Sequence, residues 1–413
     1  MEYNQSKFSK NVITLMTGTT IAQAIPIVIS PILTRLYTPE DFGVFSLFLS
    51  ITVIFGSIAN ARYELAIMLP QKDEDAINIL ALGFIINVIM SFIIFVSVLL
   101  FNDIIVLLLK NEEIKLWLYF IPLVVFFTGV FNLLTYFNNR KENYKDIATA
   151  TILKSLIMAI SHLSIGFIVS GATGLISGQI FSQVFANFQL SKIIIKENLL
   201  PRNLSRLKMV ALGKRYKKFP IFSMTATLAN TLSSQLQNIL ISIFYGIGTL
   251  GFYSLVQRLL GIPSMLIGNS FGQVFFREAT KEKKETGKCL KSFKYTIKKL
   301  LFIGLPFFFI LFLVAEDLFA LLFGEEWRVA GVYAHIVIPL FFIRFVSSSV
   351  SIILMVFEKQ NIELVINLIL IVTSIMTVVL CSDFNEFLLI LTILMSINYL
   401  IFLCYYYKLA IGK

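Results

Sequence analysis

Stretches of about twenty consecutive apolar residues recur along the whole of this 413-residue sequence. A helix of that length crosses the ~30 Å hydrocarbon core of a bilayer, and in lipid only helices and closed barrels satisfy their own backbone hydrogen bonds. Only 14% of the residues are charged, whereas a soluble domain needs roughly a quarter. The sequence therefore predicts an all-α integral membrane protein of about twelve transmembrane helices. The predicted spans are 11–34, 42–69, 76–100, 114–138, 146–170, 171–195, 214–243, 250–276, 294–315, 330–356, 360–381 and 385–407.

The positive charges are distributed asymmetrically around these spans. Of the 35 Lys and Arg residues, 27 lie in segments or span ends on the side of the N-terminus, four lie on the opposite side and four lie at least seven residues inside a span. Cytoplasmic loops are enriched in Lys and Arg, so both termini are predicted to be cytoplasmic. The first apolar run continues past the small-residue pattern at 22–24, and we interpret it as a retained helix rather than a signal peptide. Because the charge brackets apolar spans, nucleic-acid binding is excluded.

The second half of the sequence repeats the first, at an offset of 208 residues and further on at 214. The matching pairs are Thr17/Thr225, Thr19/Thr227, Tyr37/Tyr245, Gly43/Gly251, Ser46/Ser254, Leu47/Leu255, Asp103/Asp317, Leu107/Leu321, Leu108/Leu322 and Glu112/Glu326. Two parallel six-helix repeats are a recurrent transporter plan, in which the substrate binds between the halves. We predict an N-lobe at 1–195 (helices 1–6), a basic cytoplasmic linker at 196–213 and a C-lobe at 214–413 (helices 7–12).

Motifs for nucleotides and metals carry little weight in this sequence. Residues Gly246 to Gly251 have the spacing of a dinucleotide fingerprint, but they align with an external turn of the first repeat instead of following a strand. The three cysteines and two histidines are isolated, which supports neither a disulfide framework nor a zinc site. We therefore expect no cofactor and no metal, and a proton or sodium gradient as the energy source.

Four cations lie well inside predicted spans, away from the span ends: Arg62, Lys154, Arg258 and Arg344. A cation at mid-membrane costs at least ~2.5–3.5 kcal/mol, so each must face a wet cavity, pair with an acid or extend to the interface. Glu64 is the one acid well inside a span, and on a continuous helix it would lie about 200° around the axis from Arg62, too far to pair. At least two or three cations should therefore remain unpaired, which predicts an anionic substrate, with Glu64 as a candidate ion-coupling site.

Polar side chains recur at helical spacing on predicted helices 1, 7 and 10. Such a stripe either lines a cavity or forms hydrogen bonds between helices. The predicted cavity-lining residues are Gln23, Thr227, Asn230, Ser234, Gln237, Ser347, Ser348 and Ser351. On helix 6, by contrast, Gly174, Gly178 and Ser182 have the spacing of close-packing positions.

Two stretches carry a resemblance to a known family. They are 30–46, SPILTRLYTPEDFGVFS, and 62–70, RYELAIMLP, and 250–254 repeats part of the first. With 321–327, LLFGEEW, they resemble the Wzx-type polysaccharide flippases of the MOP (multidrug/oligosaccharidyl-lipid/polysaccharide) exporter superfamily. Of the four intramembrane cations, only Arg62 lies inside a family-like motif.

The resemblance implies a V-shaped molecule with two six-helix lobes around a cationic cavity. It also implies export of an undecaprenyl-pyrophosphate-linked oligosaccharide repeat unit across a bacterial inner membrane by alternating access, without enzymatic activity. Twelve helices favour the O-antigen or capsule branch over the similar lipid II flippases, which typically have fourteen. The expected partners are the lipid-linked glycan, anionic membrane lipids near 277–299, a polysaccharide polymerase and a chain-length regulator.

Three alternative functions each predict a sequence feature that can be checked here. A drug/cation antiporter of the same superfamily needs intramembrane carboxylates, and the balance here is the opposite. A major-facilitator transporter carries a Gly-x-x-x-Asp-Arg/Lys pattern that is missing from 69–77. A membrane glycosyltransferase needs catalytic acids or histidines in external loops, which are short here.

Overall fold

The computed structural model describes residues 5–196 and 204–412, except for the side chains of 5–13 and of Gln360. All regular secondary structure in these residues is helical. The helices are α1 Gln5–Leu36, α2 Pro39–Gly56, α3 Tyr63–Ala66, α4 Asp73–Leu109, α5 Lys115–Leu118, α6 Ile121–Arg140, α7 Tyr144–Gly166, α8 Thr173–Lys196, α9 Arg206–Arg215, α10 Met224–Tyr245, α11 Ile247–Leu260, α12 Asn269–Thr286, α13 Leu290–Phe323, α14 Arg328–Val350, α15 Ile353–Val356, α16 Gln360–Leu380 and α17 Phe384–Ile411. Short π-helical turns lie at Phe219–Ser223 and Ser264–Gly268, and a 3₁₀ turn at Glu325–Trp327.

Each of the twelve predicted spans overlaps a long helical segment, in the predicted order. Within the described residues, ten segments are long and apolar enough to cross a membrane. The other two are α8, with 24 residues, and α10, with 22 residues, which have spanning length but carry more polar side chains. The predicted all-α membrane fold is confirmed.

Several helices extend beyond the apolar spans. Helix α4 has 37 residues, about 55 Å along its axis, so its acidic start at Asp73 lies outside the hydrocarbon. Helix α12 continues to Thr286. The stretch 277–293, which separates the predicted spans 250–276 and 294–315, is therefore helical for most of its length, because its glutamates and lysines are good helix formers.

The chain divides into two compact units, Met1–Gln235 and Leu236–Lys413. In the first unit a hydrophobic cluster joins α3, α4, α6 and α8, with Ile79, Phe137 and Leu190 fully buried. In the second unit the largest buried side chains include Trp327, Tyr253 and Phe345. The lobe and linker boundaries at 195 and 213, which rest on the sequence repeat, stay a prediction.

Equivalent contacts in the two units reflect the internal repeat. The hydroxyl of Tyr37 donates to the carbonyl of His162 on α7 at 2.6 Å, and that of Tyr245 donates to the carbonyl of Cys381, just after α16, at 2.9 Å. Helices α7 and α16 are the fifth long helices of their repeats. The equivalent residues Asp103 and Asp317 each form an ion pair, with Lys115 at 2.7 Å and with Arg328 at 2.8 Å.

Helices α7 and α8 pack closely because α8 carries glycines at the contact. A Cβ atom added to Gly174 would lie 2.0 Å from the Tyr37 hydroxyl oxygen, and one added to Gly178 would lie 2.4 Å from Cδ2 of His162. Small residues allow membrane helices to approach closely. The close-packing interpretation of these glycines is confirmed, and His162 is a buried residue whose Nε2 lies 3.0 Å from the Leu175 carbonyl oxygen.

The second predicted span, 42–69, was wrong as a continuous helix. Helix α2 ends at Gly56, a series of turns follows, and α3 begins at Tyr63. At the repeat offset of 208, Gly56 corresponds to Ser264, the first residue of the second π-helical turn. Both halves therefore depart from regular α-helical geometry at the same position. Irregular backbone at membrane depth is tolerated only where protein or a water-filled cavity surrounds it.

Candidate functional site

Two consecutive left-handed residues place Arg62 at the break in the second span. Ala61 has φ 47° and Arg62 has φ 64°. Residues with a Cβ atom occupy this region at a cost of roughly 1–2 kcal/mol each. Such strain persists only where the surrounding structure enforces it, and it is common at functional sites.

The left-handed turn brings Arg62 and Glu64 together. Nη1 of Arg62 lies 3.0 Å from Oε1 of Glu64. The prediction that these side chains do not face each other was wrong, because it assumed a continuous helix through both residues. The pair is therefore a product of the broken helix.

The pair belongs to a partly buried group that we call the N-terminal charged cluster: Asn60, Arg62, Glu64 and Tyr136. The Glu64 side chain is only 3% exposed, and its Oε2 has no hydrogen-bond partner among the described residues. Asn60 lies beside this carboxylate and donates from Nδ2 to the Gly129 carbonyl at 2.9 Å. Nε of Arg62 is also buried without a partner in the described part of the chain. The cluster therefore keeps unused donors and acceptors.

Lys154 on α7 is a second cation of the first unit. Its side chain is half-buried, and Nζ lies 4.9 Å from the centre of the Phe131 ring on α6. Lys154 has no carboxylate partner among the residues whose side chains the structure describes. A cation–π contact compensates only part of the cost of a buried ammonium group.

In the second unit, neither Arg258 nor Arg344 forms an ion pair with a described residue. Arg258 is half-buried in the last turn of α11, where the negative end of the helix dipole favours a cation. Arg344 is exposed on α14, and its charge acts on the hydroxyl of Tyr253. These two residues and Lys154 are thus the unpaired cations that the sequence predicted.

Tyr253 is the centre of what we call the C-terminal polar cluster: Gln237, Tyr253, Gln257, Arg344 and Tyr399. Its hydroxyl oxygen accepts a hydrogen bond from Nε2 of Gln237 at 2.7 Å, and Gln257 and Tyr399 also interact with it. Gln237 and Arg344 were predicted as site residues. Tyr253, Gln257 and Tyr399 were missed, although Tyr253 lies in the family-like stretch 250–254.

The remaining polar residues of the predicted site do not share one environment. Ser234 and Ser351 donate to the backbone of their own segments, to the carbonyls of Thr231 and Ser348, which gives them a local role. Ser347 is buried, with Oγ 3.5 Å from the Tyr399 carbonyl oxygen. Four predicted residues occupy exposed or half-buried positions, and their side chains form no hydrogen bond with a described residue: Gln23, Thr227, Asn230 and Ser348.

Comparisons with known proteins define the relatives of this chain. A family model described as polysaccharide biosynthesis protein matches residues 32–332. The succinoglycan biosynthesis transport protein ExoT of Rhizobium meliloti (strain 1021) is 22% identical over 304 residues, which cover 73% of this chain but only 59% of that relative.

Several solved structures share their fold with almost the whole chain. The lipid II flippase MurJ in an inward closed conformation matches with a TM-score of 0.75 and 12% identity, covering 96% of this chain and 87% of that one. An inward-facing multidrug resistance MATE family transporter of the MOP superfamily matches with a TM-score of 0.66 and 13% identity, covering 96% and 95%. At these identities the likeness concerns the fold. The chain is a multi-span membrane protein with the MOP fold, and it belongs to the polysaccharide biosynthesis protein family.

Proposed function

We propose that this protein is a flippase that moves an undecaprenyl-pyrophosphate-linked oligosaccharide from the inner to the outer leaflet of a bacterial inner membrane. The observation that carries the proposal is the excess of intramembrane cations over acids. Lys154, Arg258 and Arg344 have no acidic partner among the described residues. The free-energy cost of placing these cations in the membrane is therefore offset only by an anionic ligand or by water. A pyrophosphate carries the negative charge that such a set of cations binds.

The proposed mechanism is alternating access. The pyrophosphate and any acidic sugars contact Arg62, Lys154, Arg258 and Arg344 in turn, while the polyprenyl tail stays in lipid. The residues of the C-terminal polar cluster, Gln237 and Tyr253 above all, offer amide and hydroxyl groups for the sugar hydroxyls. An ion gradient, of protons or sodium, supplies the energy, and Glu64 is the candidate coupling residue.

The proposal extends to the surroundings of the flippase. Both termini lie in the cytoplasm, and basic residues of 277–299 bind anionic lipid headgroups at that surface. Of this stretch, Lys283 has a structural role, because Nζ donates to the Val356 carbonyl at 2.7 Å. The transported glycan is an O-antigen or capsule repeat unit, which a polymerase and a chain-length regulator then use.

A complementation experiment tests the proposal. Cells that lack the gene receive the wild-type protein or the variants Arg62→Ala, Arg344→Ala and Lys145→Ala, and surface polysaccharide is measured by immunoblot beside the amount of protein in the membrane. Lys145 is exposed and serves as the matched control. We expect the first two variants to lose surface polysaccharide at normal protein levels and the control to retain it. Normal polysaccharide in both Arg variants would contradict the proposal.

A transport assay separates the flippase from a drug/cation antiporter. Proteoliposomes that contain the protein are loaded with a fluorescently labelled undecaprenyl-pyrophosphate glycan, and the accessible fraction is followed by quenching from outside. We expect protein-dependent exposure of the lipid-linked glycan and no efflux of ethidium, a cationic dye. Efflux of the dye without movement of the glycan would favour the antiporter.

A further inference from the structure

The two residues of the Arg62–Glu64 ion pair act on an anionic ligand in opposite ways. Arg62 would attract such a ligand, and Glu64 would repel it. The two side-chain atoms are 3.0 Å apart, with Arg62 22% and Glu64 3% exposed. A phosphate group and a carboxylate are both strong acceptors for the same guanidinium fork. An anion that binds Arg62 must therefore either displace Glu64 or lie beside it.

Either outcome leaves Glu64 in an unfavourable state as a carboxylate. If Glu64 is displaced, it is a buried anion that has lost its cation, which is strongly destabilising. If it stays, two negative charges lie within a few Å of each other, and like charges at that distance do not both remain ionised. Uptake of one proton from water by the carboxylate relieves both situations.

Among the described residues, no second cation acts on Glu64, and the side-chain amide of Asn60 is a polar neighbour without charge. The titratable neighbours that act on it are Arg62 and, from α6, Tyr136. On α4, Asp73 is bound by Arg140 and Lys141, and Glu74 is bound by Lys208. Before the first π-helical turn, Lys217 and Lys218 are exposed to the outside of the unit.

We infer that binding of an anionic headgroup at Arg62 is accompanied by protonation of Glu64, so that the anion and one proton bind together. The inference rests on the proposed function, because it assumes that the ligand is an anion. By linkage, the proton then strengthens anion binding by the same factor by which the anion strengthens proton binding. Affinity for the anion therefore rises as the pH falls.

The sign of this coupling restricts the energy source. A ligand that binds with a proton carries that proton outward during export, against an inward proton gradient. The inference therefore narrows the energy source named in the proposed function: it disfavours proton exchange through Glu64 and makes Glu64 a residue that binds a proton together with the anion. The membrane potential, negative inside, drives the outward movement of net negative charge, and a sodium gradient is the other source compatible with this sign.

Calorimetry on the purified full-length protein in detergent tests the inference, with farnesyl diphosphate as a soluble prenyl diphosphate probe. Titrations at one pH in buffers of different ionisation enthalpy give the number of protons taken up per probe bound. We expect uptake approaching one proton for the wild type, and a dissociation constant that falls up to about tenfold per unit decrease in pH. In Glu64→Gln we expect tight binding that no longer depends on pH, with no proton uptake.

Two controls separate the possible failures. Glu363→Gln removes an acid at the start of α16 and should retain the wild-type proton uptake, while Arg62→Ala should lose affinity at every pH. Binding of the probe without proton uptake, or uptake that persists in Glu64→Gln, would overturn the inference and leave the flippase proposal intact. Absence of probe binding to the wild type would overturn the proposed function, and the inference with it.

Discussion

The hydroxyl of Tyr63 donates a hydrogen bond to the carbonyl oxygen of Gly213, 3.0 Å away. Tyr63 stands between Arg62 and Glu64, and Gly213 lies near the end of α9 in the segment that connects the two sequence repeats. The same helix begins with the Ser205 amide donating to Oδ1 of Asn78 at 2.9 Å. The connecting helix is therefore bonded directly to the residue at the centre of the charged pair.

Removal of the Tyr63 hydroxyl should loosen the connecting helix. Tyr63→Phe keeps the ring in the hydrophobic cluster but leaves the Gly213 carbonyl without its partner, which costs about 0.5–1.5 kcal/mol. We expect faster tryptic cleavage between residues 196 and 218 and a thermal midpoint lower by a few degrees in detergent. Tyr119→Phe, at an exposed position, is the control, and equal cleavage rates in both variants would argue against this role.

Glycine at position 61 should stabilise the turn that presents Arg62. Ala61 has φ 47°, where a Cβ atom costs roughly 1–2 kcal/mol, so Ala61→Gly should raise the thermal midpoint. Ala226→Gly, in the regular helix α10, should lower it, since glycine in a helix costs about 1 kcal/mol. A lower midpoint for Ala61→Gly would show that the left-handed turn is not a source of strain.

The contact between α8 and Tyr37 predicts a coupled pair of variants. In Gly174→Ala the new Cβ atom would lie 2.0 Å from the Tyr37 hydroxyl oxygen, and overpacking of this kind costs typically about 1–3 kcal/mol. Tyr37→Phe removes that oxygen, so we expect part of the loss to be recovered in the double variant. A double-mutant cycle of thermal midpoints measures the coupling. Additive effects would mean that the two residues do not meet.

The predictions from the sequence agree with the structure wherever a single physical rule determines the feature. The apolar spans follow from the thickness of the bilayer, and the repeat equates Tyr37 with Tyr245 before their equivalent hydrogen bonds are known. The rule failed at residues 57–62, because hydropathy measures whether a segment is apolar and says nothing of a left-handed turn within it. The same error led to the prediction that Arg62 and Glu64 lie too far apart around a helix to pair, whereas their side chains form an ion pair.

The polar cluster around Tyr253 was only half predicted for a different reason. Gln237 and Arg344 are conspicuous as polar residues in apolar helices, whereas a tyrosine is common in membrane helices and carries no such signal. Its hydroxyl gains a role only from the approach of Gln237, 16 positions earlier in the chain. Contacts between helices of this kind are set by packing, which a single sequence does not specify.

Cys289 should resist thiol reagents. It is fully buried, and burial, together with the Glu282 carboxylate, raises the pKa of its thiol to about 11. Because the thiolate is the nucleophile, we expect negligible reaction with N-ethylmaleimide at pH 7.5 in detergent, and rapid reaction after denaturation in SDS. The exposed Cys404 is the internal comparison. Labelling of native Cys381→Ser/Cys404→Ser protein would contradict this burial.

A variant of Lys154 distinguishes most clearly between a cation that is needed for transport and one that is needed for stability. Its side chain has no acidic partner among the described residues and contacts the Phe131 ring. Removal of an intramembrane cation recovers at least ~2.5 kcal/mol on insertion scales, of which the lost cation–π contact cancels about 0.5–1 kcal/mol. Lys154→Met, which keeps the length of the side chain, should therefore raise the thermal midpoint and at the same time reduce export of the glycan. Function is often retained at the expense of stability in this way. Lys145→Met, at an exposed position, should change neither quantity. A less stable Lys154→Met protein with normal export would identify Lys154 as a structural residue and remove it from the transport pathway.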